Sequence, residues 1–179
     1  PEYLSIAHRS AFGLKEGIIA LFPEIFKRKE WAHFYEQKKD IYFSLLQEGK
    51  LNLMPGVYEV LKFVQEHKIS HAVVTHSTLE QTLAIKKHLP ILKEIPLWIT
   101  REDYDNPKPA PDGYLKAIEV LGETDRMAGF EDALRGIRSL QGTKITPVLI
   151  CPSDHPQMDT LQKENLLHFN SFNDLLCTT

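Results

Sequence analysis

The sequence predicts an α/β fold built on a parallel sheet and preceded by a small helical segment. Three observations carry this. Short apolar runs ending at Val74, Ile99, Phe130 and Ile150 alternate with longer stretches whose apolar residues recur at helical spacing. From Tyr3 to Leu46 that spacing runs on with no strand between its helices. Two adjacent carboxylates, Glu131 and Asp132, stand where an apolar run gives way to a helical pattern, the position at which an open α/β sheet gathers its ligands.

Taken in order, Leu4, Ala7, Ala11, Leu14, Ile18 and Leu21 mark a first amphipathic helical stretch, and Trp31, Phe34, Tyr35, Ile41 and Leu45 a second. Between them lies Lys27-Arg28-Lys29, the densest basic run, read as a solvated loop or helix end rather than a phosphate attractor. Pro55 predicts a helix start, continued by Val57, Leu61 and Val64. Ile69 to Val74 follows as a buried parallel strand. Ser77-Thr78-Leu79-Glu80 matches a capping box, predicting a helix from Leu79 to His88. Leu97 to Thr100 is the next strand, and Pro107 and Pro109 stiffen the loop around Lys108. Asp112 is placed to cap a helix that ends at Gly122. Met127 to Phe130 and Pro147 to Ile150 are further strands, with Cys151 read as a small buried residue and Gly136 as a point of close helix-to-sheet packing. A final short strand and helix, ending near Leu176, close the sheet.

Composition narrows the function. At 179 residues and 42% hydrophobic, the chain can bury a sizeable core. With 21 basic and 24 acidic residues and a net charge of −3, it lacks the clustered basic excess of a nucleic-acid binder, while a small anionic ligand stays open. Two cysteines are too few for a disulfide scaffold, and no apolar stretch nears the roughly 20 residues that span a bilayer. A cytoplasmic protein without membrane or nucleic-acid partners is therefore expected. The oligomeric state is not legible in the sequence. Glu131 and Asp132 are solvated, paired with a nearby Lys, or hold a hard cation such as Mg²⁺, which prefers carboxylate oxygens.

Three segments decide between these. Thr75-His76-Ser77-Thr78 stands behind Val73-Val74, then Asn106-Pro107-Lys108-Pro109-Ala110-Pro111-Asp112, then Gly129-Phe130-Glu131-Asp132-Ala133-Leu134-Arg135-Gly136. In this order they resemble the haloacid dehalogenase superfamily, and within it the phosphatase and phosphoglucomutase-like branch. The likeness covers most of the chain. It implies a Rossmann-like parallel sheet as core from Met54 to Thr179, with residues 1–53 as a helical cap over the site.

The resemblance implies a Mg²⁺-dependent phosphatase for a small phosphorylated metabolite, working through an aspartyl-phosphate. Asp132 and Glu131 would hold the metal, directly or through water. Thr75 would bind the phosphoryl group, since a neutral hydroxyl donates to phosphate oxygen without competing as a base. Lys108 would bind the phosphoryl oxygens with it and offset their charge, and His76, where many relatives carry Asn, would make a minor substrate contact. Hydroxyls at 75–78 that do no more than start the next helix are the bland alternative.

Two departures qualify the likeness. Ala133 replaces the usual Ser, which loses one hydroxyl near the metal. The nucleophilic aspartate of an Asp-x-Asp-Gly signature, on a first strand, is absent from Pro1 to Thr179; Asp103-Tyr104-Asp105 neither caps an apolar run nor precedes Gly. The first strand and its nucleophile are therefore expected upstream of Pro1. Metal-free dehalogenation gives no use for the acidic pair. Phosphoglucomutase-like phosphoryl transfer, or a binding protein that keeps the fold without the nucleophile, are the alternatives.

Overall fold

Four of the apolar runs become parallel strands, and a fifth strand lies near the end of the chain. A computed structural model of the chain describes residues 18–20, 22–26, 31–48, 51–155, 158–164 and 166–177. The chain divides into two units, Pro1–Lys50 and Leu51–Thr179.

In the first unit, α1 (Pro23–Phe26) precedes α2 (Trp31–Gln47), the long helix that the spacing predicts. Its buried residue is Leu46, whereas Ile41 and Leu45 of the expected stripe are exposed. Lys27-Arg28-Lys29 and residues 1–17 of the first helical stretch lie outside the described residues.

The second unit opens with α3 (Val57–Glu66). Its N-cap is Gly56, with Pro55 one residue outside the helix instead of at its first position. Gly56 has φ +86°, and a Cβ there would lie 2.3 Å from the backbone N of Asn173. Glycine at this point thus satisfies a left-handed backbone and lets α8 (Phe172–Leu176) approach.

After α3 comes β1 (Ala72–Val74), then α4 (Leu79–His88), β2 (Leu97–Ile99) and α5 (Asp112–Leu121). Then follow β3 (Ala128–Glu131), α6 (Leu134–Gln141), β4 (Thr146–Ile150), α7 (Met158–Leu161) and β5 (Leu167–Phe169). The box that starts α4 sits one residue later than its sequence match: Thr78 accepts from Gln81 N, and the Gln81 side chain accepts from Thr78 N. Asp112 caps no helix end. Pro111 is the N-cap of α5, and the Asp112 carboxylate accepts instead from Asn106 N and Nδ2, which holds it below the ordinary carboxylate pKa and ties down the proline loop. Gly122 closes α5 as expected.

The strands form two sheets. β1 pairs with β2 in parallel, Ala72 opposite Leu97 and Val74 opposite Ile99. β4 lies between β3 and β5, both parallel to it. Being central, β4 is the most buried strand; Val148, Leu149 and Ile150 are at most 4% exposed, each contributing roughly 1.5–3 kcal/mol of burial. Ile137 of α6 packs with Leu149, Cys151, Met158 and Leu161 beneath this sheet. A separate cluster of Ile99, Tyr104 and Ala117 of α5 lies beneath the other, joined by Val74 and Leu97.

Among the described residues β1 pairs only with β2, and β3 only with β4, so each keeps one edge without a strand. β3 departs from the fully covered strand that parallel pairing suggests, because its face is open at Ala128 and Phe130. No helix among the described residues is long and apolar enough to cross a membrane.

Candidate active site

The tip of β1 is shaped by hydroxyls. Thr75 N donates to Ile99 O at 2.9 Å, carrying the ladder one residue past the strand, and Thr75 Oγ1 then accepts from Ser77 N at 3.0 Å, turning the chain toward α4. That bond occupies one lone pair and leaves the Thr75 O–H available to an anion. Thr75 thus serves the turn without surrendering its donor. The next loop packs on this one: Arg101 N donates to Ser77 O at 3.1 Å, and the Tyr104 hydroxyl donates to Thr75 O at 3.0 Å.

Asp103-Tyr104-Asp105 proves to be structural. Asp103 accepts from Thr100 N and Oγ1, Tyr104 is buried, and Asp105 O receives Arg101 Nη2. The Arg101 guanidinium also donates to Tyr104 O at 2.6 Å. His76 is exposed beside these groups. Partial loss of hydration, then the charges of Arg135, Arg101 and Lys108, lower its pKa, so the imidazole is neutral at pH 7.

Lys108 joins the two sheets. Its Nζ donates to Val74 O, the last carbonyl of β1, at 3.0 Å, to the Tyr114 hydroxyl at 3.2 Å, and to Glu131 Oε1 at the tip of β3. The Lys108 and Glu131 side chains are 13% and 11% exposed, so this ion pair is largely shielded from water. The Lys108–Pro109 peptide is cis. Its loop is anchored beyond the prolines by Ser139 Oγ, which donates to Ala110 O at 2.6 Å.

The two carboxylates therefore differ. Glu131 is turned inward onto Lys108, while Asp132 is exposed beside it. Gly136 explains how Glu131 fits. A Cβ at that position would lie 1.9 Å from Glu131 Oε2 and 2.7 Å from its Cγ, so α6 gives up a side chain to the carboxylate, not to sheet backbone. The helix preference of alanine gains about 1 kcal/mol, whereas crowding a pinned group costs about 1–3 kcal/mol. Gly136→Ala is accordingly expected to destabilise by up to about 2 kcal/mol in urea denaturation, and to stabilise instead in a Glu131→Ala background.

Cys151 is buried, as expected from its place at the end of β4. Burial first, and the Asp132 carboxylate second, push its thiol up to about 11, so it is no nucleophile at neutral pH.

The structure thus brings Thr75, His76, Lys108, Glu131 and Asp132 to the same ends of β1 and β3. Tyr114, Tyr104 and Arg135 also belong here and were missed in the sequence, where Tyr114 reads as one more apolar residue on a helix. Its offset of six from Lys108, through a proline loop into a first helical turn, was the available signal.

Among the described residues no group of three or more His, Cys, Asp or Glu side chains stands ready for a metal. Asp132 with water and a phosphate oxygen still suits Mg²⁺, which is commonly held by one or two carboxylates.

Comparison with known proteins bears on the family and the fold. The family described as haloacid dehalogenase-like hydrolase matches residues 6–150. A phosphorylated carbohydrates phosphatase of Thermotoga maritima is 27% identical over 80% of this chain and 67% of its own length. A beta-phosphoglucomutase of Mycobacterium bovis is 32% identical over 56% of this chain, which spans only 40% of that relative. Among solved structures, a family IA, variant 3 hydrolase from Entamoeba histolytica shares the fold, with a TM-score of 0.72 and 24% identity over 92% of this chain and 75% of its own. The chain belongs to the haloacid dehalogenase-like hydrolases, in the branch that contains phosphatases and phosphoglucomutases.

Proposed function

We propose that this protein is a Mg²⁺-dependent phosphatase for a small phosphorylated metabolite. The supporting observation is the Lys108 amine bridging the last carbonyl of β1 and the Glu131 carboxylate of β3, with Thr75 and Asp132 directly after these two strands, each of which keeps an edge without a strand among the described residues.

A strand lying between those edges would place an aspartate at its tip beside all four side chains, and such an aspartate is the nucleophile of this reading. Its carboxylate attacks phosphorus, the substrate oxygen leaves and takes a proton, and water then hydrolyses the aspartyl-phosphate. Thr75 donates to a phosphoryl oxygen, and Lys108 balances charge that gathers as nucleophile and phosphate meet. Neutral His76 contacts the substrate outside the transferred group. Asp132, with Glu131 through water, would hold Mg²⁺, which when bound neutralises phosphoryl charge. Residues 1–53 act as the cap that selects the substrate, and the cytoplasm is the proposed location.

The mycobacterial relative's name favours a second reading with the same chemistry, in which the phosphoryl group passes to a sugar phosphate instead of water. The test is phosphate release from a phosphate ester by the protein isolated from its own cells, with and without Mg²⁺.

A further inference from the structure

Lys108 has three N–H donors and spends each of them inside the protein. Two acceptors are fixed by the fold: Val74 O belongs to a paired strand, and Glu131 lies on the bare backbone of Gly136. The third is the Tyr114 hydroxyl, which itself donates to the same Glu131 oxygen that Lys108 reaches. The three groups close a ring of hydrogen bonds in which the amine donates to the phenol and to the carboxylate, and the phenol donates to the same carboxylate oxygen.

Tyr114 has little freedom to leave. It is 7% exposed in the first turn of α5, and its ring centroid lies 4.9 Å from Lys108 Nζ. The neighbouring Gly113 is so close to β1 that a Cβ there would come within 2.8 Å of Val74 Cγ1, which presses the start of the helix against the strand. Burial first, then the Glu131 charge, raise the phenol's pKa well above its ordinary value, so it stays a donor.

We infer that Tyr114 is a positioning residue of this site, whose hydroxyl holds Glu131 on Lys108 and keeps the amine at the tip of β1. It divides the acidic pair into an inward partner for Lys108 and an exposed carboxylate, Asp132. What Lys108 then does to a phosphate rests on the function proposed above; the arrangement itself does not.

The experiment is competitive acetylation of the native full-length protein with acetic anhydride, read peptide by peptide by mass spectrometry. Lys62 and Lys116, whose side chains are 38% and 42% exposed, are the internal standards. Lys108 should label roughly tenfold more slowly than they do, and Tyr114→Phe, which keeps the ring, should raise its rate roughly fivefold, about the worth of one hydrogen bond. In a Glu131→Gln background the same substitution should add distinctly less, since only the direct Lys108–Tyr114 bond is then left to lose. Unchanged Lys108 labelling in Tyr114→Phe, or equal effects in both backgrounds, would overturn the inference. Inorganic phosphate in the same assay separates the two ideas. Protection of Lys108 supports both, whereas a Tyr114 effect without protection upholds the positioning role and counts against the phosphatase.

Discussion

Asp132→Asn is expected to lower Mg²⁺-dependent phosphate release on the order of 10²–10³-fold while the fold is unchanged. The reason lies in its surroundings. Glu131 is already neutralised by Lys108 and steadied by Tyr114, so Asp132 is the exposed charge left to meet a cation at the end of β3. Asparagine keeps the shape and an oxygen but loses the charge that a hard cation prefers. Being exposed, the site should cost no more than about 0.5 kcal/mol in stability. Steady-state rates across a Mg²⁺ titration, beside a thermal melt, measure both parts. A variant with full activity would remove Asp132 from the metal site.

Lys108→Met should act on stability as well as on turnover. It leaves Glu131, 11% exposed, without its cation in a pocket closed by Gly136 and Tyr114. Breaking a shielded pair from one side costs about 3 kcal/mol or more, because the remaining charge is stranded. Removing both charges, with Lys108→Met and Glu131→Gln together, should recover most of that loss. Activity should not return, since the double variant still lacks the amine. Urea midpoints of the two single variants and the double one form the cycle; additive losses would mean that the pair is not the energetic unit that its geometry indicates.

Much of this was legible before the structure. Apolar runs located β1 to β4 within two or three residues, because parallel strands leave a plain apolar signature, and the three motifs placed Thr75 and the Glu131–Asp132 pair at strand tips and Lys108 in the proline loop between them. What failed were matters of partner choice. Ser77 and Thr78 carry equivalent hydroxyls, each three residues before a Glu or Gln, and it is Thr78 with Gln81 that caps α4. Asp112 has the chemistry of a helix cap, yet the two Asn106 donors engage its carboxylate first. Glu131 and Asp132 are alike in sequence, and alternation along the end of β3 turns one inward and leaves the other in water. Tyr114 was hidden for a similar reason. Its ring satisfies the apolar pattern of α5, and nothing local shows that its hydroxyl meets an amine and a carboxylate from two other loops.

Phosphate release by the native protein, purified from its own cells and assayed on p-nitrophenyl phosphate, bears most directly on the phosphoryl-transfer reading. Turnover that stops on chelation and returns with Mg²⁺ is the predicted result. A folded native protein that releases no phosphate from this ester or from phosphorylated sugars, with Mg²⁺ present, would contradict it.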